Sequence, residues 1–264
     1  MELPYCLVDA FTDRPFAGNP AAVVLLTAPR EPAWMLSIAR EMNLSETAFV
    51  IPRGAGEYDL RWFTSAIEVP LCGHATLATA HVLWSEARME TAPRLRFHTL
   101  SGALEARRDG DWIELDLPAI PAEEREVSDA LSAALGALPI RAGKSDQDWL
   151  AEFASEAEVR ALHPDLAAVR AFGGQGVIAT ARSSDDRYDF VSRYFAPAVG
   201  VDEDPVTGAA HCTLAPWWSA RFGRARLVGF QASRRGGIVR VEHRGDRVSV
   251  AGRAVSIANG LLRV

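Results

Sequence analysis

Two short stretches place a titratable side chain beside a glycine that opens an apolar segment: Leu71-Cys-Gly-His-Ala-Thr76 and Glu203-Asp-Pro-Val-Thr-Gly-Ala-Ala210. A helix starting at Gly73 or Gly208 leaves its first-turn amides without intrahelical partners, and the helix dipole adds to them. Either start is therefore an anion site suited to a carboxylate. Gly208 lets the backbone approach a ligand closely, and Thr207 can donate a hydroxyl. Cys72 reads either as a thiolate activated by the helix end or as an inert buried thiol. His74 reads as a capping or packing residue, or as a participant in proton transfer. Asp204-Pro205 fits an N-cap with proline at N1 as well as a functional carboxylate. Glu46, in Asn43-Leu-Ser-Glu-Thr-Ala-Phe49, stands where a helix ends and an apolar strand begins. A carboxylate there faces solvent or is aimed into a cleft, where desolvation raises its pKa toward the range useful to a general base.

Composition removes several alternatives. Of the 28 basic residues only Lys144 is a lysine, and the polar surroundings Ala-Gly-Lys-Ser-Asp predict a loop with no apolar pocket to activate it. Schiff-base and pyridoxal-phosphate chemistry need such a pocket. Three cysteines without a CxxC pair, and six histidines without HxxxH or HExxH spacing, predict neither a disulfide framework nor a metal site. A net charge of −6 argues against a nucleic-acid partner. No apolar run approaches the ~20 residues that span a bilayer, and the first residues do not form a secretory signal, so a soluble, cytoplasmic protein is expected.

The elements that must position these residues fall into two halves. At 264 residues the chain exceeds one typical core, and the Pro118–Glu126 stretch marks the boundary, giving residues 1–118 and 119–264, with a terminal strand free to cross back to the first half. In the first half, strands are predicted at Tyr5–Thr12, Ala21–Leu26, Thr47–Pro52, Asp59–Thr64, Leu95–His98, Ala103–Arg107 and Trp112–Leu117. Helices are predicted at Glu31–Met42 and Gly73–Glu86, the second apolar nearly all round and therefore buried. The second half repeats this grammar. Its strands are expected at Trp149–Phe153, Gly176–Ala181, Tyr188–Phe195, Leu227–Ala232, Ile238–His243 and Arg247–Val250, with helices at Glu156–Ala161 and Gly208–Phe222. Pro216 is expected to kink or divide the last helix. Arg61-Trp-Phe63 matches Arg193-Tyr-Phe195 at an offset of 132 residues, each ahead of a loop and a buried helix start.

The stretches Val8-Asp-Ala-Phe-Thr, Phe16-Ala-Gly-Asn-Pro-Ala-Ala-Val23, Asn43-Leu-Ser-Glu-Thr-Ala-Phe49, Glu68-Val-Pro-Leu-Cys-Gly-His-Ala-Thr76, Arg193-Tyr-Phe-Ala-Pro197 and Glu203-Asp-Pro-Val-Thr-Gly-Ala209 together resemble the PhzF-like family of phenazine-biosynthesis-type isomerases. The resemblance implies an α+β, diaminopimelate-epimerase-like fold, with two similar halves that each wrap a curved, mostly antiparallel sheet around a central helix and an active site in the cleft between them. It also implies a homodimer, no metal and no organic cofactor. It places the proton-transferring role on Glu46, pocket roles on His74 and Asp204, and substrate binding on Asn19, Gly73, Thr207, Gly208 and Ala209. Two departures bear on the substrate: Gln231-Ala-Ser-Arg-Arg-Gly-Gly237 replaces the family's glycine-rich segment, and Ala209 stands where a serine is usual.

The expected activity is a cofactor-independent isomerisation that moves a proton between carbons of a small carboxylate-bearing substrate, with Glu46 as the single acid/base. Two alternatives stay open at this point. A cysteine-dependent racemase or epimerase on the same fold would use Cys72, although the offset sets Asp204 opposite it and Cys212 lies a helical turn beyond Gly208. A non-enzymatic binding or scaffold protein would keep the pocket without turnover.

Overall fold

The computed structural model describes residues 2–54, 56–85 and 92–264. The chain forms two compact units, Met1–Asp116 with Ala251–Val264, and Leu117–Val250. The first contains β1 (Glu2–Ala10), β2 (Asn19–Leu25), α1 (Pro32–Met42), β3 (Glu46–Gly54), β4 (Glu57–Phe63), β5 (Glu68–Val69), α2 (Gly73–Ser85), β6 (Arg94–Thr99), β7 (Gly102–Asp109) and most of β8 (Trp112–Pro118). The second runs through β9 (Glu123–Arg125), α3 (Asp129–Leu135), β10 (Arg141–Lys144), β11 (Trp149–Glu152), α4 (Glu156–Ala161), α5 (Leu166–Ala171), β12 (Val177–Arg182), β13 (Phe190–Ala196), β14 (Val201–Asp204), α6 (Gly208–Phe222), β15 (Arg226–Gln231), β16 (Gly237–Arg244) and β17 (Arg247–Gly252). The terminal β18 (Ala254–Arg263) belongs to the first unit, where it pairs antiparallel with β1.

The pairing order is the same in both units. In the first, β1 is antiparallel to β2, β2 parallel to β3, and β3 antiparallel to β4; β4 then pairs antiparallel with β5 and parallel with β6, which is antiparallel to β7. In the second, the same relations run from β10 to β11, β12, β13, β14 and β15, and on to β16. A parallel step needs a crossover; α1 and then α2 lie in the two crossovers of the first unit, and α4 with α5, then α6, in the two of the second. The Arg61/Arg193 match belongs to this repeat. Arg61 makes a two-point ion pair with Glu68 across β4 and β5 at 2.7 Å for both contacts, and Arg193 makes one with Glu203 across β13 and β14 at 2.7 and 2.9 Å. Each guanidinium also lies over the phenylalanine two residues on.

Helix α2 packs on β1, β2, β3 and β18 and is buried nearly all round, as its Ala-, Leu- and Thr-rich composition demands. Its buried threonines are satisfied within the helix: Thr76 and Thr79 donate their hydroxyls to the carbonyls of Cys72 and Ala75 at 2.6 and 2.7 Å. α6, equally buried, packs on β15 and β16. Separate apolar clusters seat the other helices: Met35, Ile38 and Ala39 of α1 on Val24, Phe49 and Phe63, and Leu131, Leu135, Val159 and Val169 of α3–α5 on Val177, Ala179, Val191 and Phe195. Burying each large side chain contributes about 1.5–3 kcal/mol. No helix among the described residues is long and apolar enough to cross a membrane.

Three expectations are corrected. Lys144 is the last residue of β10, not a loop residue, and its ammonium lies 5.5 Å from the Trp149 ring centroid. Pro216 does not divide α6, which runs unbroken from Gly208 to Phe222. The carbonyl of Cys212, which a proline at i+4 cannot serve, accepts instead from the amide of Ile120 at 3.1 Å. Asp204 is not the N-cap of α6: it ends β14, and Thr207 holds the cap position. The predicted end of α2 at Glu86 lies outside the described residues.

Candidate active site

In the first unit the site begins at the β1–β2 turn. Gly18 has φ +66°, and a Cβ there would come within 2.1 Å of the Ala10 carbonyl oxygen, so only glycine fits before Asn19. Phe11 and Phe16 also adopt left-handed φ values, and the Phe16 amide is held by the buried carboxylate of Asp9 at 2.8 Å. This turn delivers Asn19 to the start of β2. The parallel register of β2 and β3, with Ala21 opposite Glu46, sets Glu46 at the start of the neighbouring strand. α2 opens beside them with Cys72, Gly73 and His74.

His74 is the centre of the arrangement. Its ring is 4% exposed, and burial pushes its pKa down to about 3, so the imidazole is neutral. The Ser45 hydroxyl donates to Asn19 Oδ1 at 3.4 Å, which turns the Asn19 Nδ2 group toward His74 Nδ1 at 3.2 Å. Nδ1 is therefore the acceptor and Nε2 carries the proton. Nε2 stands 3.2 Å from Glu46 Oε2, yet the two are not aligned as a hydrogen bond, and Nε2 has no aligned partner. Cys72 Sγ lies 3.5 Å from Nδ1. The Glu46 side chain keeps 17% of its surface open, against 5% for His74. A neutral, immobilised imidazole thus stands behind a carboxylate that an incoming molecule can reach.

The second unit builds a different network at the start of α6. The Thr207 hydroxyl donates to Asp204 Oδ2 at 2.5 Å instead of capping the helix. Gln231, fully buried on β15, accepts from the Thr207 amide at 2.9 Å and donates to the Asp204 carbonyl at 2.8 Å and to Thr207 Oγ1 at 3.1 Å. Ser233 donates to the Pro205 carbonyl at 2.7 Å. His211 gives its Nδ1 proton to the Thr207 carbonyl at 2.8 Å, and burial lowers its pKa to about 4. Gly208 and Ala209 occupy the first turn, where amides lack intrahelical acceptors. Cys212 sits inside the helix with its thiol on the Gly208 carbonyl, and burial raises its pKa to about 12.

Of the residues singled out from sequence, Asn19, Glu46, Gly73 and His74 come together with Cys72 in the first unit. Asp204, Thr207, Gly208 and Ala209 come together in the second. Ser45 and Gln231 were not singled out. Ser45 sits inside the Asn-Leu-Ser-Glu-Thr motif, and Gln231 opens the segment read only as a departure from the family pattern; a buried amide's partners cannot be read from chain position. Asp148 was also missed. Tyr194 donates to its Oδ1 at 2.8 Å, and burial raises the Asp148 pKa to about 6.

The family model for phenazine biosynthesis-like proteins, PhzC-PhzF, matches residues 8–260. An uncharacterized isomerase of Pseudomonas aeruginosa is 48% identical over 264 residues, the whole of both chains. An uncharacterized isomerase of Halalkalibacterium halodurans is 45% identical over 258 residues, 97% of each chain. The crystal structure of a PhzF-family phenazine biosynthesis protein from Enterococcus faecalis matches with a TM-score of 0.95 at 40% identity, covering all of both chains. A hydroxyproline epimerase from Agrobacterium vitis, solved with bound trans-4-hydroxy-L-proline, matches with a TM-score of 0.66 at 11% identity over 99% of this chain and 92% of that one; this likeness shows the diaminopimelate-epimerase-like fold alone.

Proposed function

The chain belongs to the phenazine biosynthesis-like PhzC-PhzF family and is an isomerase; on that premise we propose that Glu46 is its single acid/base, moving a proton between two carbons of a small carboxylate-bearing substrate. The observation that carries this reading is the pairing of an accessible Glu46 carboxylate with a neutral, sealed His74 held at 3.2 Å. A neutral imidazole does not compete for the proton. The base takes a proton from a carbon activated by a carbonyl or neighbouring unsaturation and returns it to another carbon on the same face. General acid–base catalysis of this kind is worth about 10²–10⁴-fold.

Groups that suit the polar ends of a substrate stand at both helix starts. The open amides of Gly208 and Ala209, like those at Gly73, suit a carboxylate. Asp204, anchored by Thr207 and Gln231, suits an amine or hydroxyl. Asn19 acts through His74 by fixing its tautomer. The two-thiol racemase reading lacks a second nucleophile, because the Cys212 thiol is buried in α6 with its pKa raised to about 12.

The test is hydrogen–deuterium exchange in heavy water. Candidate amino and hydroxy acids are screened for deuterium uptake with the wild-type protein and with Glu46→Gln, which keeps size and hydrogen bonding while removing the base. Exchange that Glu46→Gln abolishes supports the reading; near-normal exchange by that variant rejects it. Loss of exchange on alkylating Cys72, with Glu46→Gln still active, would establish the thiol as the base.

A further inference from the structure

Three titratable side chains of the second unit form a buried chain: Asp148 in the turn before β11, Tyr194 in β13, and Asp204 at the end of β14. The Tyr194 phenol donates to Asp148 Oδ1 at 2.8 Å. Tyr194 and Asp204 are directly opposed in the antiparallel pairing of β13 with β14, so their side chains leave the sheet on the same face. Burial, Asp148 and then Asp204 each push the pKa of the phenol up. The turn is built to hold this arrangement. The Asp148 amide donates to the Ser145 hydroxyl and the Ser145 amide to the Asp148 carbonyl, both at 2.9 Å. Gly176 leaves room for the Tyr194 ring, which a Cβ there would approach to 3.0 Å.

The repeat shows that the fold does not require this chain. At the matching pair of the first unit, behind the same Arg–Glu brace, Trp62 stands opposite Val69. Burying two carboxylates is unfavourable, so an apolar pair serves a purely structural purpose better. We propose that Asp148 and Tyr194 are positioning residues for Asp204: the phenol bridges the two carboxylates, and the charge on Asp148 sets how strongly Asp204 holds a substrate amine. The bearing on substrate rests on the role proposed for Asp204; the coupling of the two carboxylates does not. The groups set against Asp148 are the Tyr194 hydroxyl of β13, the Lys144 ammonium of β10 and the Gly176 amide, with Asp204 beyond the phenol. Desolvation outweighs the first three and holds the Asp148 carboxyl near pKa 6. Once ionised, Asp148 grips the phenol hydrogen more firmly and adds a negative charge that an amine at Asp204 feels. Affinity for an amine therefore rises as pH passes upward through the Asp148 transition, and a neutral hydroxyl gains little.

The test is carboxyl-carbon NMR of the full chain labelled at aspartate, with Asp148→Asn and Asp204→Asn assigning the two signals. Asp148 is expected to titrate near pH 6, and the Asp204 signal to show an inflection at the same pH. Asp148→Asn keeps an acceptor for Tyr194 and should remove that inflection. Tyr194→Phe should move the Asp148 transition to higher pH and shrink its echo at Asp204. An Asp204 signal flat through the Asp148 transition, or an inflection that survives Asp148→Asn, would overturn the coupling. In the heavy-water assay the probe is an amino acid that the wild-type protein deuterates. Asp148→Asn should raise its KM about fivefold or more at about pH 8, with little change at about pH 5 and no loss of kcat. Merely loosened packing would not give that split. Equal KM values for variant and wild type at both pH values, or deuteration confined to hydroxy acids, would overturn the positioning role. Exchange that survives Glu46→Gln would instead reject the base and leave the Asp148–Asp204 coupling standing.

Discussion

The starts of α2 and α6 hold matching places in the element order of the two units, and they have been put to different chemical use. At α2 the polar groups converge on a neutral histidine whose Nε2 is left over, beside a carboxylate that is still reachable. At α6 the hydrogen bonds of Asp204, Thr207 and Gln231 close on one another, and His211, its Nε2 likewise left over, is turned by Nδ1 onto a helix carbonyl. Both starts follow a short strand braced by an Arg–Glu pair, so the scaffold is shared and only the groups at its tip differ. A repeated architecture can thus hold a reachable carboxylate at one helix start and a closed hydrogen-bond network at the other.

That contrast can be broken or sharpened by substitution. Glu46→Gln is expected to have the largest effect, lowering substrate deuterium exchange by about 10³-fold with little change in melting temperature; a larger loss from Asp204→Asn would reverse the assignment of roles. Gln231→Ala should act mainly on stability. It strips partners from the Thr207 amide and the Asp204 carbonyl and leaves a cavity, so denaturant unfolding should show a loss of about 2–4 kcal/mol. Asp204→Asn retains the shape of the network and should cost about 10–100-fold in exchange, less than the base itself.

At the buried acid of the second unit the expected effect is a gain. The folded state holds Asp148 near pKa 6 against an ordinary value of 3.8. A carboxyl whose pKa is raised on folding contributes stability that is fully present below the unfolded value and is lost as pH rises through the folded one. Asp148→Asn, neutral throughout and still able to accept from Tyr194, should therefore be more stable than the wild type by about 3 kcal/mol at pH 8. The gain should vanish as pH falls below about 4, as urea unfolding at the two pH values would show. An equal gain at both would mean that Asp148 is ionised in the fold as it is in the unfolded chain.

Much of this was legible in the order of residues. The buried helices α2 and α6 follow from segments that are apolar on every side, and the long strands from β-rich runs between turns. The motifs holding Glu46, His74 and Asp204 carry the family resemblance together with the stretches at Val8, Phe16–Val23 and Arg193–Pro197. Short elements such as β5, β14 and α5 were not legible, because so few residues have no periodicity to read and are set by the partners they pair with. Asp204-Pro205 reads locally as a helix cap, yet pairing with β13 extends the strand through Asp204 and moves the cap to Thr207. The sequence by itself therefore determined which residue types meet at each helix start and what chemistry they could perform. Tertiary structure alone decided that Asn19, Glu46, Cys72 and His74 share one spot, which tautomer His74 adopts, and that Gln231 ties Thr207 to Asp204. Those relations depend on strand register and on desolvation by distant packing, which local spacing does not encode.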